Sequence, residues 1–209
     1  MLVYPKPWLS KSDAVARAAR LIANSARRER MLAGTLELGD GELGWEAPSA
    51  RASVGPALTV TARGAELDQA LERLGRERTI PGGSFAFVLS DFLVPHAEES
   101  IAAVLSRAID LVPVVIQDPT WEASFPAAVG GLVLPLADPR SGKRADVRVS
   151  RAEADARRLA NEARHGELLD RLAGLGLDPI SLATAEPAGI LRAFLEWAAS
   201  RVARDWRAA

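Results

Sequence analysis

The sequence predicts an α/β fold: a doubly wound, mostly parallel sheet flanked by helices, with an antiparallel hairpin at its edge. Three observations carry this. Residues 85–89, Phe-Ala-Phe-Val-Leu, form an unbroken apolar run between Pro81-Gly82-Gly83 and Ser90-Asp91, the pattern of a strand buried on both faces. Residues 111–116, Leu-Val-Pro-Val-Val-Ile, form a second such run, and the single amphipathic helix between them makes a right-handed parallel βαβ unit. Strands and helices alternate through most of the remaining chain. The first run is expected at the centre of the sheet.

With 209 residues, 48% hydrophobic and 25% charged, the chain can bury a sizeable core and suits one domain spanning residues 1–209. A net charge of -1 points to neither nucleic acid nor an anionic membrane surface. The absence of cysteine removes disulfides, thiolate ligands and thiol nucleophiles, and a cytoplasmic location is expected. Two histidines, His96 and His165, are too few for an all-protein zinc cluster. No 18-residue apolar run and no signal-like leader is present, so no membrane span is expected.

In chain order, residues 1–4 are an apolar start stopped by Pro5 and Pro7, and the residues leave open whether it is a strand or a tail. A helix is expected from Ser12, capped by Ser12 or Asp13, with Val15, Ala18, Ala19, Ile22 and Ala26 inward and its arginines in solvent. Residues 31–38 and 43–47 flank the turn chemistry of Gly39-Asp-Gly41 and read as a hairpin in which Trp45 packs. Residues 48–56 read as a loop, 58–61 as a short extended piece, and 66–78 as a helix with Leu67, Ala70, Leu71 and Leu74 inward. The crossover helix is expected over 96–110, with Glu98 and Glu99 at its positive end and Ile101, Val104, Leu105, Ala108 and Ile109 as its core stripe. His96 reads as a helix-start residue near solvent.

The long connection 120–131 carries Trp121, Phe125 and Pro126. Residues 132–136 and 145–149, joined by a turn at 138–142, read as the edge hairpin. Ser150 and Glu153 form a capping box for a helix that runs to about Ala173 and ends at Gly174 and Gly176. A last short strand is expected within 177–184. Glu186-Pro187 then opens a closing helix with Ile190, Leu191, Phe194, Leu195, Ala198 and Val202 on one face, and Trp197 and Trp206 are expected to complete packing.

No G-x-G-x-x-G links a strand to a helix, and neither a Walker lysine motif nor a G-x-S-x-G elbow occurs. What remains are acids at the carboxyl ends of the two apolar strands, where open α/β sheets place their ligands: Asp91 beside Ser90, and Asp118. One reading is a small-ligand hydrolase that uses Asp91 and Asp118. Against it, His96 with Asp91 is one histidine with one carboxylate, not a nucleophile-base pair.

The succession 88–92 (Val-Leu-Ser-Asp-Phe), 111–119 (Leu-Val-Pro-Val-Val-Ile-Gln-Asp-Pro) and 131–142 (Gly-Leu-Val-Leu-Pro-Leu-Ala-Asp-Pro-Arg-Ser-Gly) resembles the bacterial domain-of-unknown-function family fifty-eight. Residues 177–184 before a closing helix, Lys11-Ser-Asp-Ala-Val15 and Gly64-Ala-Glu-Leu67 also fall at family-like positions. The resemblance implies a von Willebrand factor type A-like domain, non-catalytic, working as a protein-binding adaptor with a MoxR-type AAA ATPase. It also implies magnesium at the carboxyl end of the sheet, held by an Asp-x-Ser-x-Ser loop, a threonine and an aspartate after the central strand. Asp91, with Ser90 beside it, matches that aspartate. The Asp-x-Ser-x-Ser loop is missing where the chain has Pro5-Lys-Pro-Trp-Leu-Ser-Lys-Ser-Asp13, and the threonine is missing near Arg63-Gly-Ala-Glu66. Ser10, Ser12 and Asp13 read as a helix cap instead.

Three expectations follow. Magnesium binds weakly or not at all, because one carboxylate and one hydroxyl give too few hard oxygens to displace its hydration shell. The first strand of the family is shortened or lost, with residues 1–4 the nearest segment able to replace it. Partner recognition falls to Trp121, Phe92 and Leu93 on loops at the carboxyl edge.

Overall fold

The computed structural model of the chain describes residues 9–39, 42–50, 65–94, 97–137 and 143–208. The expectations for residues 1–4, 51–56, 58–61, 138–142 and His96 lie outside them. In chain order the elements are α1 (Lys11–Arg28), β1 (Ala33–Gly39), β2 (Glu42–Ser49), α2 (Ala65–Arg76), β3 (Phe85–Ser90), α3 (Glu98–Leu105), β4 (Asp110–Ile116), β5 (Val133–Ala137), β6 (Arg144–Arg148), α4 (Arg151–Gly174), β7 (Ile180–Leu182) and α5 (Pro187–Ala208). They fall into two compact units, one of Leu9–Ile116 with Leu172–Ala209, the other of Gln117–Arg171.

Among the described residues the first unit holds a parallel three-stranded sheet in the order β3-β4-β7, flanked by helices. Phe85 lies opposite Asp110 and Ser90 opposite Val115, while Val114 lies opposite Ile180 and Ile116 opposite Leu182. The expected parallel pairing is present, and among the described residues β4 is the middle strand of the three. Every residue from Leu111 to Ile116 is buried, whereas Phe85 is 48% exposed and the rest of β3 is half-buried. Apolarity alone does not separate the two strands. Contacts from α5 partly cover Phe85: Trp197 meets its ring edge-on at 6.3 Å and the Arg201 guanidinium lies over it at 5.6 Å.

Successive β4 side chains point to opposite faces. Val112, Val114 and Ile116 form one core with Ala14 and Ala18 of α1, Ile180 and Leu182 of β7 and Ile190 of α5. Each of the valine, leucine and isoleucine side chains contributes about 1.5–3 kcal/mol by leaving water. α3 packs against β4, and α2 against α3. Arg201 also reaches Asp110, with Nη1 3.1 Å from Oδ1.

α1 is capped by Ser10, whose Oγ accepts the Asp13 amide at 3.4 Å, rather than by Ser12 or Asp13. Its arginines are not all solvated, since Arg17 donates to the Ala185 carbonyl at 2.7 Å. α3 ends at Leu105, five residues short of its expected end, because the chain must turn back there: Ala108 takes φ 55° and its carbonyl accepts the Gly83 amide at 2.7 Å. β1 and β2 form the expected antiparallel hairpin, with Leu36 opposite a half-buried Trp45.

α5 corrects a second expectation. Ile190 is buried and Phe194 and Trp197 are half-buried, but Leu191, Leu195 and Val202 are exposed and Trp206 is 83% exposed. The cause is which face turns inward: Ile190, Phe194 and Trp197 lie at i, i+4 and i+7 and pack on the core, whereas Leu191, Leu195 and Val202 lie one position round on the adjacent face.

In the second unit, β5 and β6 pair antiparallel, with Val133 opposite Arg148 and Ala137 opposite Arg144. The hairpin is as expected, but it is a sheet of its own rather than an edge of the parallel one. The Ser150 capping box closes at both ends: the Ser150 amide donates to Glu153 Oε2 at 2.8 Å, and the Glu153 amide donates to Ser150 Oγ at 3.2 Å. Hydrogen bonds from the Ser150 side chain and amide hold the Glu153 carboxyl below its ordinary pKa. Trp121, Phe125, Val129 and Ala154 make the core of this unit, with Leu134 and Val149 packed on it. No helix among the described residues is long and apolar enough to cross a membrane.

Candidate functional site

β3 delivers Ser90 and Asp91 to the carboxyl end of the parallel sheet. There Asp91 Oδ2 lies 2.7 Å from Lys11 Nζ, on the first residue of α1, and Oδ1 accepts the Leu93 amide at 3.2 Å. Ser90 Oγ accepts the Phe92 amide, also at 3.2 Å. Both side chains of the ion pair are partly covered, Lys11 at 27% and Asp91 at 33% exposure. Phe92 sits at φ 51°, in the left-handed region that a bulky side chain seldom adopts. Its ring is buried and Leu93 is half-buried, so the two expected docking residues of this turn line it rather than project from it.

Magnesium takes six oxygens in a near-ideal octahedron at about 2.0–2.1 Å. The residues here do not fit it: Asp91 is bound by an ammonium on one oxygen and a main-chain amide on the other, and Ser90 caps the turn. No cluster of three or more histidine or acidic residues able to hold a metal occurs among the described residues.

Asp118 follows β4 in the chain and is spent differently. It is 3% exposed, and its Oδ1 accepts two main-chain amides, Thr120 at 2.8 Å and Trp121 at 2.9 Å. Its own amide donates to Glu122 Oε2 at 2.9 Å. This carboxylate closes a turn. Trp121 leaves that turn 9% exposed and meets Phe125 edge-to-face at 5.5 Å, so the expected exposed anchor is a core side chain. A connection of this length can fold onto itself, and its apolar aromatics drive that.

The same turn is held by a polar stripe on α4 that sequence reasoning missed. Asn161 Nδ2 donates to the Trp121 carbonyl at 3.2 Å and the Ser124 carbonyl at 2.6 Å. Arg164 donates to Asn161 Oδ1 at 3.1 Å and to the Glu122 carbonyl. His165 Nδ1 lies 3.0 Å from Gln117 Oε1. Burial, with the Arg164 charge beside it, lowers the His165 pKa. The one signal available was spacing, since positions 161, 164, 165 and 168 share a helix face, ending in buried Leu168.

Asp91 thus holds an ammonium and a turn, Asp118 two main-chain amides. Both geometries fix backbone rather than present an acid to a substrate. Residues 8–167, about three-quarters of the chain, match the family described as "Protein of unknown function DUF58". No curated protein and no solved structure matches the chain.

Proposed function

The chain belongs to the DUF58 family, and from that premise we propose that it is a non-catalytic protein-interaction domain with a doubly wound, von Willebrand factor type A-like fold. It works in the cytoplasm as an adaptor for a MoxR-type AAA ATPase in protein maturation or complex assembly. The observation that carries the non-catalytic reading is the commitment of Asp91, the acid in the ligand position of the parallel sheet, to Lys11 and the Leu93 amide. A general acid or base must reach the proton it moves, and a carboxylate tied in this way does not present itself for that work.

The test is binding of the purified chain to a purified MoxR-type AAA ATPase from the same genome, followed by interferometry. Saturable binding is the expected result. Absence of binding, or turnover in a hydrolase screen that Asp91→Asn abolishes, would overturn the proposal.

A further inference from the structure

We propose that the Lys11 ammonium is the resident cation of the β3 terminus and holds the turn of residues 90–93 closed without any metal. Three observations converge on this. The Lys11–Asp91 contact, at 2.7 Å, has the length of a charge-assisted hydrogen bond, and it occupies the oxygen that an incoming cation would need. Lys11 is the first residue of an 18-residue helix, where the macrodipole disfavours positive charge, so its partner must supply the compensation that the helix does not. The other Asp91 oxygen accepts the Leu93 amide, so whatever fixes the carboxylate also fixes the turn that carries Phe92 at φ 51°. A left-handed non-glycine residue persists only where its surroundings determine it.

The pair joins residues 80 positions apart and clips the start of α1 to the end of β3. A divalent ion would do the same work on Asp91 but would have to evict the ammonium first. The turn is therefore indifferent to magnesium and to chelators.

Amide hydrogen exchange, read by NMR on the intact chain, tests this. Lys11→Met should speed exchange at Leu93 about two- to fivefold while leaving the β4 amide of Val114 unchanged, because local openings report local clips and a partly solvated pair is a modest one. Asp91→Asn, which keeps the side-chain shape, should do the same, and Lys11→Arg should restore protection. Millimolar magnesium or chelator should leave wild-type exchange unaltered. The inference is overturned if Leu93 exchange is unchanged in both Lys11→Met and Asp91→Asn, or if magnesium slows it in wild type and not in Asp91→Asn.

Discussion

Asp91 and Asp118 follow consecutive strands of one parallel sheet in the chain, and both accept amides of their own turns, but they differ in what else balances them. Asp91, a third exposed, adds a full charge on a helix far away in sequence to its one amide. Asp118, almost fully buried, is balanced by the amides of its own turn. The difference teaches how burial selects a partner. A carboxylate that keeps some water can hold a flexible ammonium, whereas one removed from water needs short, fixed dipoles that pre-exist in the backbone around it.

The comparison breaks first, if it breaks, at the buried turn. Trp121→Ala should cost about 3–5 kcal/mol in urea unfolding, the usual cost of emptying a core aromatic site. A cost under about 1 kcal/mol would show that the ring is not a core element. Asp118→Ala should follow, at about 2–4 kcal/mol, because one buried and one partly buried amide donor lose their acceptor. Lys11 and Asp91 should show a much smaller coupling, about 0.2–1 kcal/mol in a double-mutant cycle, since both are partly solvated. A coupling as large as the Asp118 effect would erase the contrast.

The smallest effect concerns pH. Burial and Arg164 depress the His165 pKa in the folded chain, so below about 6.5 the unfolded chain takes up a proton that the folded chain refuses. The stability from the neutral imidazole is present above that pH and is lost as pH falls toward the folded value. His165→Gln should flatten the slope of stability against pH in the window just below 6.5. An unchanged slope would place the acid sensitivity elsewhere.

Much of the fold is legible in the sequence because its signals are local. Gly39-Asp-Gly41 marks a hairpin, Ser150 with Glu153 a helix start, and the runs at 85–89 and 111–116 a parallel pair. How far each run is buried is not legible, because Trp197 and Arg201, which meet the Phe85 ring, come from the far end of the chain. Asp91 stands out at its strand end, yet its lysine does not: a basic residue before Ser12 and Asp13 reads as solvated surface. The Asn161, Arg164 and His165 stripe reads the same way, since a helix face that binds a turn and one that binds water carry the same residue types. The apolar positions of α5 span two adjacent faces, and only the packing of Ile190, Phe194 and Trp197 on the core shows which one turns inward.

The central claim is that the acid in the ligand position of the parallel sheet is committed within the chain. Titration of the purified chain with magnesium, followed by isothermal calorimetry, tests it most directly. The account predicts no saturable one-site binding at millimolar ion, with wild type and Asp91→Ala giving the same heats. Micromolar one-site binding that Asp91→Ala abolishes would contradict it.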